Sequence, residues 1–138
     1  MRKFFENHKD LGILILRVGI GISFILYGWA KIQGGEEVLI MLGNAMAKFG
    51  ITFAPKFWGT LAVASEFVGG IFLILGLLTR PAAAIMAFTM LIAVSEHIAM
   101  GDPVHIVMHP VELFTVFVSL VFIGAGKYSI DALICKKK

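Results

Sequence analysis

The chain has 138 residues, of which 59% are hydrophobic and only 15% are charged, and its formal net charge is +3. Soluble globular domains carry roughly 25% charged residues, so a soluble fold of this size would lack the polar side chains needed to cover its surface. The composition therefore excludes an ordinary soluble domain and predicts one integral membrane domain over residues 1–138.

Four apolar segments follow one another along the chain, at about 11–30, 57–78, 81–100 and 104–125. Each reaches the ~20 residues that a helix needs to cross a ~30 Å hydrocarbon layer. The first segment is interrupted by Arg17 and no A-x-A cleavage site follows it, which favours an uncleaved helix over a signal peptide. The sequence predicts an all-α membrane protein with a bundle of four transmembrane helices.

Basic residues are concentrated before the first segment, between the second and third, and after the fourth. They are Arg2, Lys3, Lys9, Arg80, Lys127 and Lys136–Lys138. The positive-inside rule then predicts cytoplasmic termini in a multi-pass protein of the cell (inner or cytoplasmic) membrane, surrounded by lipid. Because membrane topology explains how the cations are distributed, the net charge does not indicate nucleic-acid binding.

The connection between the first two segments, about 31–56, has a helical pattern of its own. One predicted face carries Val38, Leu42, Ala45 and Phe49, and another carries Glu37, Asn44 and Lys48. This pattern predicts a short amphipathic helix at the outer membrane surface, which either covers the bundle or merely packs over the loop. Pro55 is expected to end it.

The start of the fourth helix has two interpretations. Asp102 followed by Pro103 is a favourable helix start, which would give a span from 103 with Pro110 inside it. Alternatively, the helix begins at Pro110 and 101–109 is a loop.

Each apolar segment carries polar residues on one helical face, and four inward faces would form a polar interior. A charge facing lipid costs ~3 kcal/mol on insertion scales, so we expect these faces to point inward. An outward-opening pocket is predicted from one cluster, which comprises Glu96, His97, His105, His109 and Glu112.

These intramembrane polar groups have several interpretations. Glu66, His97 and Glu112 are candidate proton donors or acceptors, or the charges form structural ion pairs, Arg17 with Glu66 and Lys31 with Glu96 or Glu112. No metal is the main expectation; the alternative is a site at His105, His109 and Glu112. His97 and His109 are a further alternative as haem ligands. No covalently bound cofactor is evident, and Cys135, the one cysteine, excludes a thiol pair within the chain.

Several stretches resemble the DoxX family over essentially the whole chain: LRVGIGISFILYGWAKI, EFVGGIFLILGLLTRPAA, MLIAVSEH and GAGKYSIDALI. The resemblance falls on Arg17, Gly28, Lys31, Glu66, Gly69, Gly70, Arg80, Pro81, His97, Glu112, Gly126, Ser129 and Asp131. It implies a four-helix membrane protein. Some members are linked to quinone-dependent thiosulfate oxidation with a second subunit, and others to oxidoreductase complexes that respond to oxidative stress.

The resemblance and the buried protonatable groups together predict a quinone-linked membrane oxidoreductase subunit. Quinone would enter from lipid, with Arg17, Lys31 and Glu96 binding it and a second redox subunit as partner. The alternatives are a non-enzymatic membrane scaffold or assembly partner and a small proton-coupled transporter, which would need a homo-oligomer.

Overall fold

The computed structural model describes residues 2–136, with side chains from His8 onward, and these residues form helices and no strand. In chain order the helices are α1 (Arg2–Gln33), α2 (Gly35–Gly43), a 3-10 helix (Asn44–Phe49), α3 (Pro55–Leu75), α4 (Thr79–Met100), α5 (Val104–Ile123) and α6 (Ile130–Lys136). Within this described part, α1, α3, α4 and α5 are each long and apolar enough to cross a membrane. The predicted all-α class with four spans is confirmed. Lys137 and Lys138 of the basic tail lie outside the described residues.

The helix ends depart from the predicted bounds by a few residues, for local backbone reasons. Pro55 does not end the preceding segment but begins α3, where its missing N–H is not needed. α3 ends at Leu75 because Gly76 takes a left-handed φ of 64°. α4 begins at Thr79, two residues before the predicted start.

α5 begins at Val104 and keeps Pro110 inside the helix, which selects the longer of the two alternatives. Pro103 occupies the N-cap position, so the start differs by one residue from the predicted 103. Asp102 does not cap the helix, because its carboxylate faces the imidazole of His97 instead.

α3 is the central helix, since it packs against α1 on one side, against α4 on another, and beneath α2. Glycines allow these close approaches. Gly21 of α1 faces Gly70 of α3, and a methyl group on either residue would lie 2.7 Å from the carbonyl oxygen of the other. Gly43 and Gly59 make a comparable backbone contact between α2 and α3.

The apolar core lies between the four spans and is built from large side chains. Phe24, Met86 and Phe117 are at most 1% exposed and belong to one cluster. The rings of Phe24 and Phe117 meet edge to face with centroids 4.9 Å apart, which joins α1 to α5 through side chains.

The first and last described helices begin and finish at the same end of the bundle, called here the terminal end. The backbone N–H of Lys127 donates to Asp10 Oδ1 over 3.1 Å. Arg17 is fully buried nearby and donates to the carbonyl oxygens of Leu73 at 2.8 Å and Tyr128 at 2.6 Å. The cytoplasmic location of this end stays a prediction.

Asp131 closes the terminal end around the start of α4. Its two carboxylate oxygens accept the backbone N–H groups of Leu78 and Thr79 over 2.8 and 2.9 Å. Its own N–H donates to the carbonyl oxygen of Gly76 over 2.9 Å. The first N–H groups of a helix have no partner within the helix, and Asp131 supplies one from the other end of the sequence.

The predicted amphipathic helix is present at the opposite end, called here the distal end, but it is divided into α2 and the 3-10 helix. Ala45 and Met46 are buried, whereas Phe49, which was predicted on the buried face, is 53% exposed. A 3-10 helix has 3.0 residues per turn instead of 3.6, so the buried face shifts from Phe49 to Met46.

Most of the polar face of α5 points away from the bundle, contrary to the prediction that all four polar faces point inward. Its outward residues, called here the outer stripe of α5, are His105, Glu112 and Thr115, whereas His109 lies toward α1, with its ring centroid 6.3 Å from that of Tyr27. The helix buries Phe117 and Leu120 instead. Because lipid provides no hydrophobic drive, helices associate through close packing, and here the large apolar side chains of α5 provide it.

Gly70→Ala is expected to destabilise the bundle, because the added methyl group meets a backbone oxygen of Gly21 that cannot move aside. Overpacking of this kind costs about 1–3 kcal/mol. The matched control is Gly19→Ala, where nothing lies within 4 Å and alanine favours the helix by up to about 1 kcal/mol. Unfolding by SDS in mixed micelles measures both free energies. Equal effects of the two substitutions would contradict the Gly21–Gly70 contact.

Candidate functional site

A cavity of about 420 Å³, called here the front cavity, lies toward the distal end and has walls from α1 to α5. Lys31 and His97 lie near the distal ends of α1 and α4, and His109 lies near the distal start of α5. Glu66 reaches the cavity from the middle of α3. The remaining lining is Phe24, Tyr27, Ala30, Val38, Met90, Ala93, Pro110 and Leu113.

The centre of the site is an ion pair between Lys31 and Glu66. The Lys31 ammonium lies 2.7 Å from Glu66 Oε1 and 2.6 Å from Oε2. The carboxylate side chain is 4% exposed and the lysine side chain 33%. A buried carboxylate stays charged only beside a partner, and the ammonium reaches it from the cavity rim. The expected Arg17–Glu66 pair is not formed.

His97 is held by a partner that the sequence analysis did not identify. α4 ends at Met100, and Gly101 with a φ of 72° turns the chain back. This turn brings Asp102 Oδ2 to 2.7 Å from His97 Nδ1. With an ionised Asp102, Nδ1–H is the donor in this contact and Nε2 is the nitrogen left to exchange a proton.

Aromatic side chains of α1 and a histidine ring of α5 are in contact at the front cavity. The ring of Tyr27 lies edge to face with Phe24, centroids 5.7 Å apart, and with His109 at 6.3 Å. Phe24 is buried, whereas Tyr27 and His109 are exposed at the rim. The sequence analysis did not select Phe24 or Tyr27, although both lie on the Lys31 side of α1, at seven and four residues before it.

A second cavity of about 90 Å³, called here the rear cavity, lies behind the ion pair. Lys31 and Glu66 line it as well, and Glu96 lines it from α4. Glu96 pairs with Lys48 of the 3-10 helix, with 2.5 Å between Oε1 and Nζ. The predicted pairing of Lys31 with Glu96 or Glu112 is therefore replaced by Lys31–Glu66 and Lys48–Glu96. The sequence analysis placed Lys48 on the polar face of the connecting helix but did not predict its pairing with Glu96.

The structure places the other sequence-predicted residues outside both cavities. Arg17 is at the terminal end, bonded to carbonyl oxygens, and His105 and Glu112 belong to the outer stripe of α5. Among the side chains that the structure describes, from His8 to Lys136, no three His, Cys, Asp or Glu residues are grouped so as to hold a metal ion. The alternative metal site at His105, His109 and Glu112 thus gains no support.

These features define a small multi-pass membrane protein with a mostly apolar cavity that holds an ion pair at one end of its bundle. The model of the DoxX family matches residues 12–101, which include Lys31, Glu66 and His97. The match covers more than half of the chain, and the protein belongs to the DoxX family.

Two curated relatives are similar to this chain over long ranges. The "Inner membrane protein YqjF" of Escherichia coli K12 is 35% identical over 132 residues, which is 94% of this chain and 96% of the relative. The "Putative oxidoreductase CatD" of Bacillus subtilis 168 is 34% identical over 94 residues, which is 68% of this chain and 62% of that relative. No solved structure matches the chain significantly.

Lys31→Met is expected to destabilise the protein more than Glu66→Gln. The first substitution leaves a buried carboxylate alone, whereas the second leaves an ammonium group that already reaches the surface. Stranding a buried charge costs about 3–5 kcal/mol. The double variant should recover most of this loss, as measured by unfolding in mixed micelles.

The exposed pair Glu36–Lys56, 3.0 Å apart, provides the control. Its single variants Glu36→Gln and Lys56→Met should each change the free energy of unfolding by less than about 1 kcal/mol. Similar losses for Lys31→Met and Glu66→Gln would contradict the asymmetric burial of the pair.

Proposed function

We propose that the protein is a quinone-linked oxidoreductase subunit of the cell (inner) membrane and that the front cavity is its quinone site. The observation that carries the proposal is the Lys31–Glu66 pair, lined up with His97 and aromatic rings in a cavity inside a membrane bundle. The names of the two relatives, an inner membrane protein and a putative oxidoreductase, support the location and the reaction class.

The residues of the front cavity fit a flat apolar ring that carries two carbonyl oxygens. A volume of about 420 Å³ falls within the roughly 300–1,000 Å³ of small-molecule sites, which are mostly apolar with a few polar groups. Lys31 has three N–H donors, and the two oxygens of Glu66 occupy two of them. The third is free to donate to a carbonyl oxygen. Phe24 and Tyr27 offer ring faces and edges for stacking.

A bound quinone supplies the redox chemistry by taking up two electrons and two protons to give the quinol. The electrons come from a reduced carrier on a second subunit, which is oxidised in the same reaction. In this chain, the Lys31 ammonium orients the substrate, and the Glu66 carboxylate takes up a proton from solvent as the ring is reduced and passes it to the substrate oxygen. His97 exchanges a proton through Nε2, and Asp102 positions its ring. Glu112 lies outside the cavity and takes no part in this scheme.

Organic extracts of the gently solubilised protein are expected to contain about one quinone per chain. In titrations with a short-chain quinone, His109→Gln at the cavity rim should weaken binding about tenfold, equivalent to about 1.4 kcal/mol. His105→Gln is the matched control, because His105 lies one turn earlier on α5 and outside the cavity. Calorimetry in detergent gives both dissociation constants.

The outcomes of this experiment separate the proposals. No extracted quinone and no binding of added quinone would overturn the quinone site. Equal weakening by His105→Gln and His109→Gln would mean that quinone binds elsewhere on the surface.

A second candidate function, that of a membrane assembly partner, is favoured by Glu112. This glutamate is exposed on the apolar span of α5 and makes no hydrogen bond or ion pair with any residue that the structure describes. A lipid-facing charge costs ~3 kcal/mol, so we infer that a transmembrane helix of a second subunit, with a basic side chain at this depth, covers it. Such a subunit also suits the quinone proposal, which needs an electron donor.

Glu112→Leu is expected to reduce the recovery of a copurifying membrane polypeptide at least tenfold after extraction into lipid nanodiscs, because the interfacial charge is lost. Glu36→Gln is the control, since Glu36 is an exposed carboxylate outside the spans. Native mass spectrometry identifies the polypeptides in the purified complex and their stoichiometry. A monomeric wild-type protein would contradict the interface, and a second copy of this chain would replace the second subunit as its occupant.

A further inference from the structure

We propose that the rear cavity holds water and forms a proton route from the distal surface, through Lys48 and Glu96, to Glu66. The inference rests on the proposed function, because it assigns the proton supply of the quinone site. It also gives Glu96, which does not line the front cavity, a role as the proton-exchanging carboxylate.

The rear cavity has the size and the polar groups that buried water requires. One water needs roughly 10–15 Å³ and two to four polar partners, whereas purely apolar cavities stay dry. The cavity of about 90 Å³ has the carboxylates of Glu66 and Glu96 among otherwise mostly apolar lining residues, so it has space for water and carboxylate oxygens to accept hydrogen bonds from it.

One carboxylate oxygen of Glu96 is buried and can still accept a hydrogen bond inside the protein. Its Oε1 is buried and contacts Lys48 as an ion pair, but no described residue donates a properly aligned hydrogen bond to it. The lysine side chain is 35% exposed, and the glutamate side chain 24%. The pair therefore bridges the surface and the rear cavity, with an oxygen left for a water molecule.

A second route is needed because the substrate itself blocks the first. Lys31 and Glu66 form a partition with the front cavity on one side and the rear cavity on the other. A ligand in the front cavity separates Glu66 from the solvent on that side. The rear cavity stays open behind the pair, so the Glu66 carboxylate can receive a proton while the site is occupied.

Two of the elements around the rear cavity bring a charged group to face Glu66 or Glu96. α1 contributes Lys31 and the 3-10 helix contributes Lys48, whereas α2 contributes only Leu42 and α5 contributes no residue to the lining. His97 faces the front cavity. One proton enters at Glu96 from the surface, passes through water to the Glu66 carboxylate, and is transferred from Glu66 to the substrate oxygen as the ring is reduced.

X-ray radiolytic labelling tests the water independently of any quinone, because hydroxyl radicals form at bound waters and oxidise adjacent side chains. Met46 lines the rear cavity, and Met86 is fully buried in the apolar core. Met46 should be oxidised at least tenfold faster than Met86. Ala62→Leu, or Ala45→Leu from the other wall, should fill the cavity and remove the difference. Equal rates in the wild-type protein would overturn the water-filled route.

Protein-film voltammetry tests the proton route, with the electrode supplying the electrons and decylubiquinone as the substrate. Glu96→Gln should leave the amount of bound quinone unchanged and slow its proton-coupled reduction about tenfold, with a larger solvent isotope effect. Glu96→Asp should restore much of the rate. Glu36→Gln is the control, because Glu36 also pairs with a lysine but lies away from both cavities.

An unchanged reduction rate in Glu96→Gln would overturn the route through Glu96 even if Met46 is labelled. Absence of bound quinone in the wild-type film would overturn the proposed function and the proton route together. In that case the comparison of Met46 with Met86 still decides whether the rear cavity contains water.

Discussion

The contact between α1 and α3 is the interaction on which the rest of the structure depends. Glycines allow the two backbones to touch at Gly21 and Gly70, and two cations of α1 then reach α3. Arg17 bonds to the last carbonyl groups of α3, and Lys31 pairs with Glu66. These cations are 14 residues apart in one helix, or roughly 21 Å at 1.5 Å per residue, so α1 is fixed to α3 near both ends of the bundle.

The Arg17 contact and the Lys31 contact have different roles. At the terminal end, Arg17 and Asp131 bond mainly to backbone groups and organise helix ends, which makes them structural. At the distal end, Lys31 and Glu66 bond to each other and line two cavities, which leaves the pair accessible from both sides. Charge alone does not distinguish these roles, because both cations lie on one face of α1. The partner atoms distinguish them: carbonyl oxygens for Arg17 and a carboxylate for Lys31.

Much of the fold was predictable, because membrane thickness fixes span length and because glycine and proline mark the helix ends. The four spans and the connecting helix follow from these constraints, whereas the start of α5 was left between two alternatives that only the structure separates. The site was predictable only in part. Helical periodicity places Lys31, Glu66 and His97 on polar faces, but it does not give the rotation of each helix within the bundle. For this reason the partner of Glu66 and the direction of the α5 polar face could not be derived. The Asp102–His97 contact depends on the left-handed turn at Gly101, which periodicity does not describe.

The bonding of Arg17 has a consequence for biogenesis. α1 is synthesised first, and its arginine meets the membrane before any of its partners exists. The carbonyl groups of Leu73 and Ile74 arrive with α3, and that of Tyr128 is made 111 residues after Arg17. An unpaired arginine within a span is costly, by up to about 2.5–3.5 kcal/mol at the helix centre on insertion scales. The newly inserted α1 therefore carries an unpaired cation until α3 and the segment around Tyr128 are in place, and it is less stable alone in the membrane than in the finished bundle.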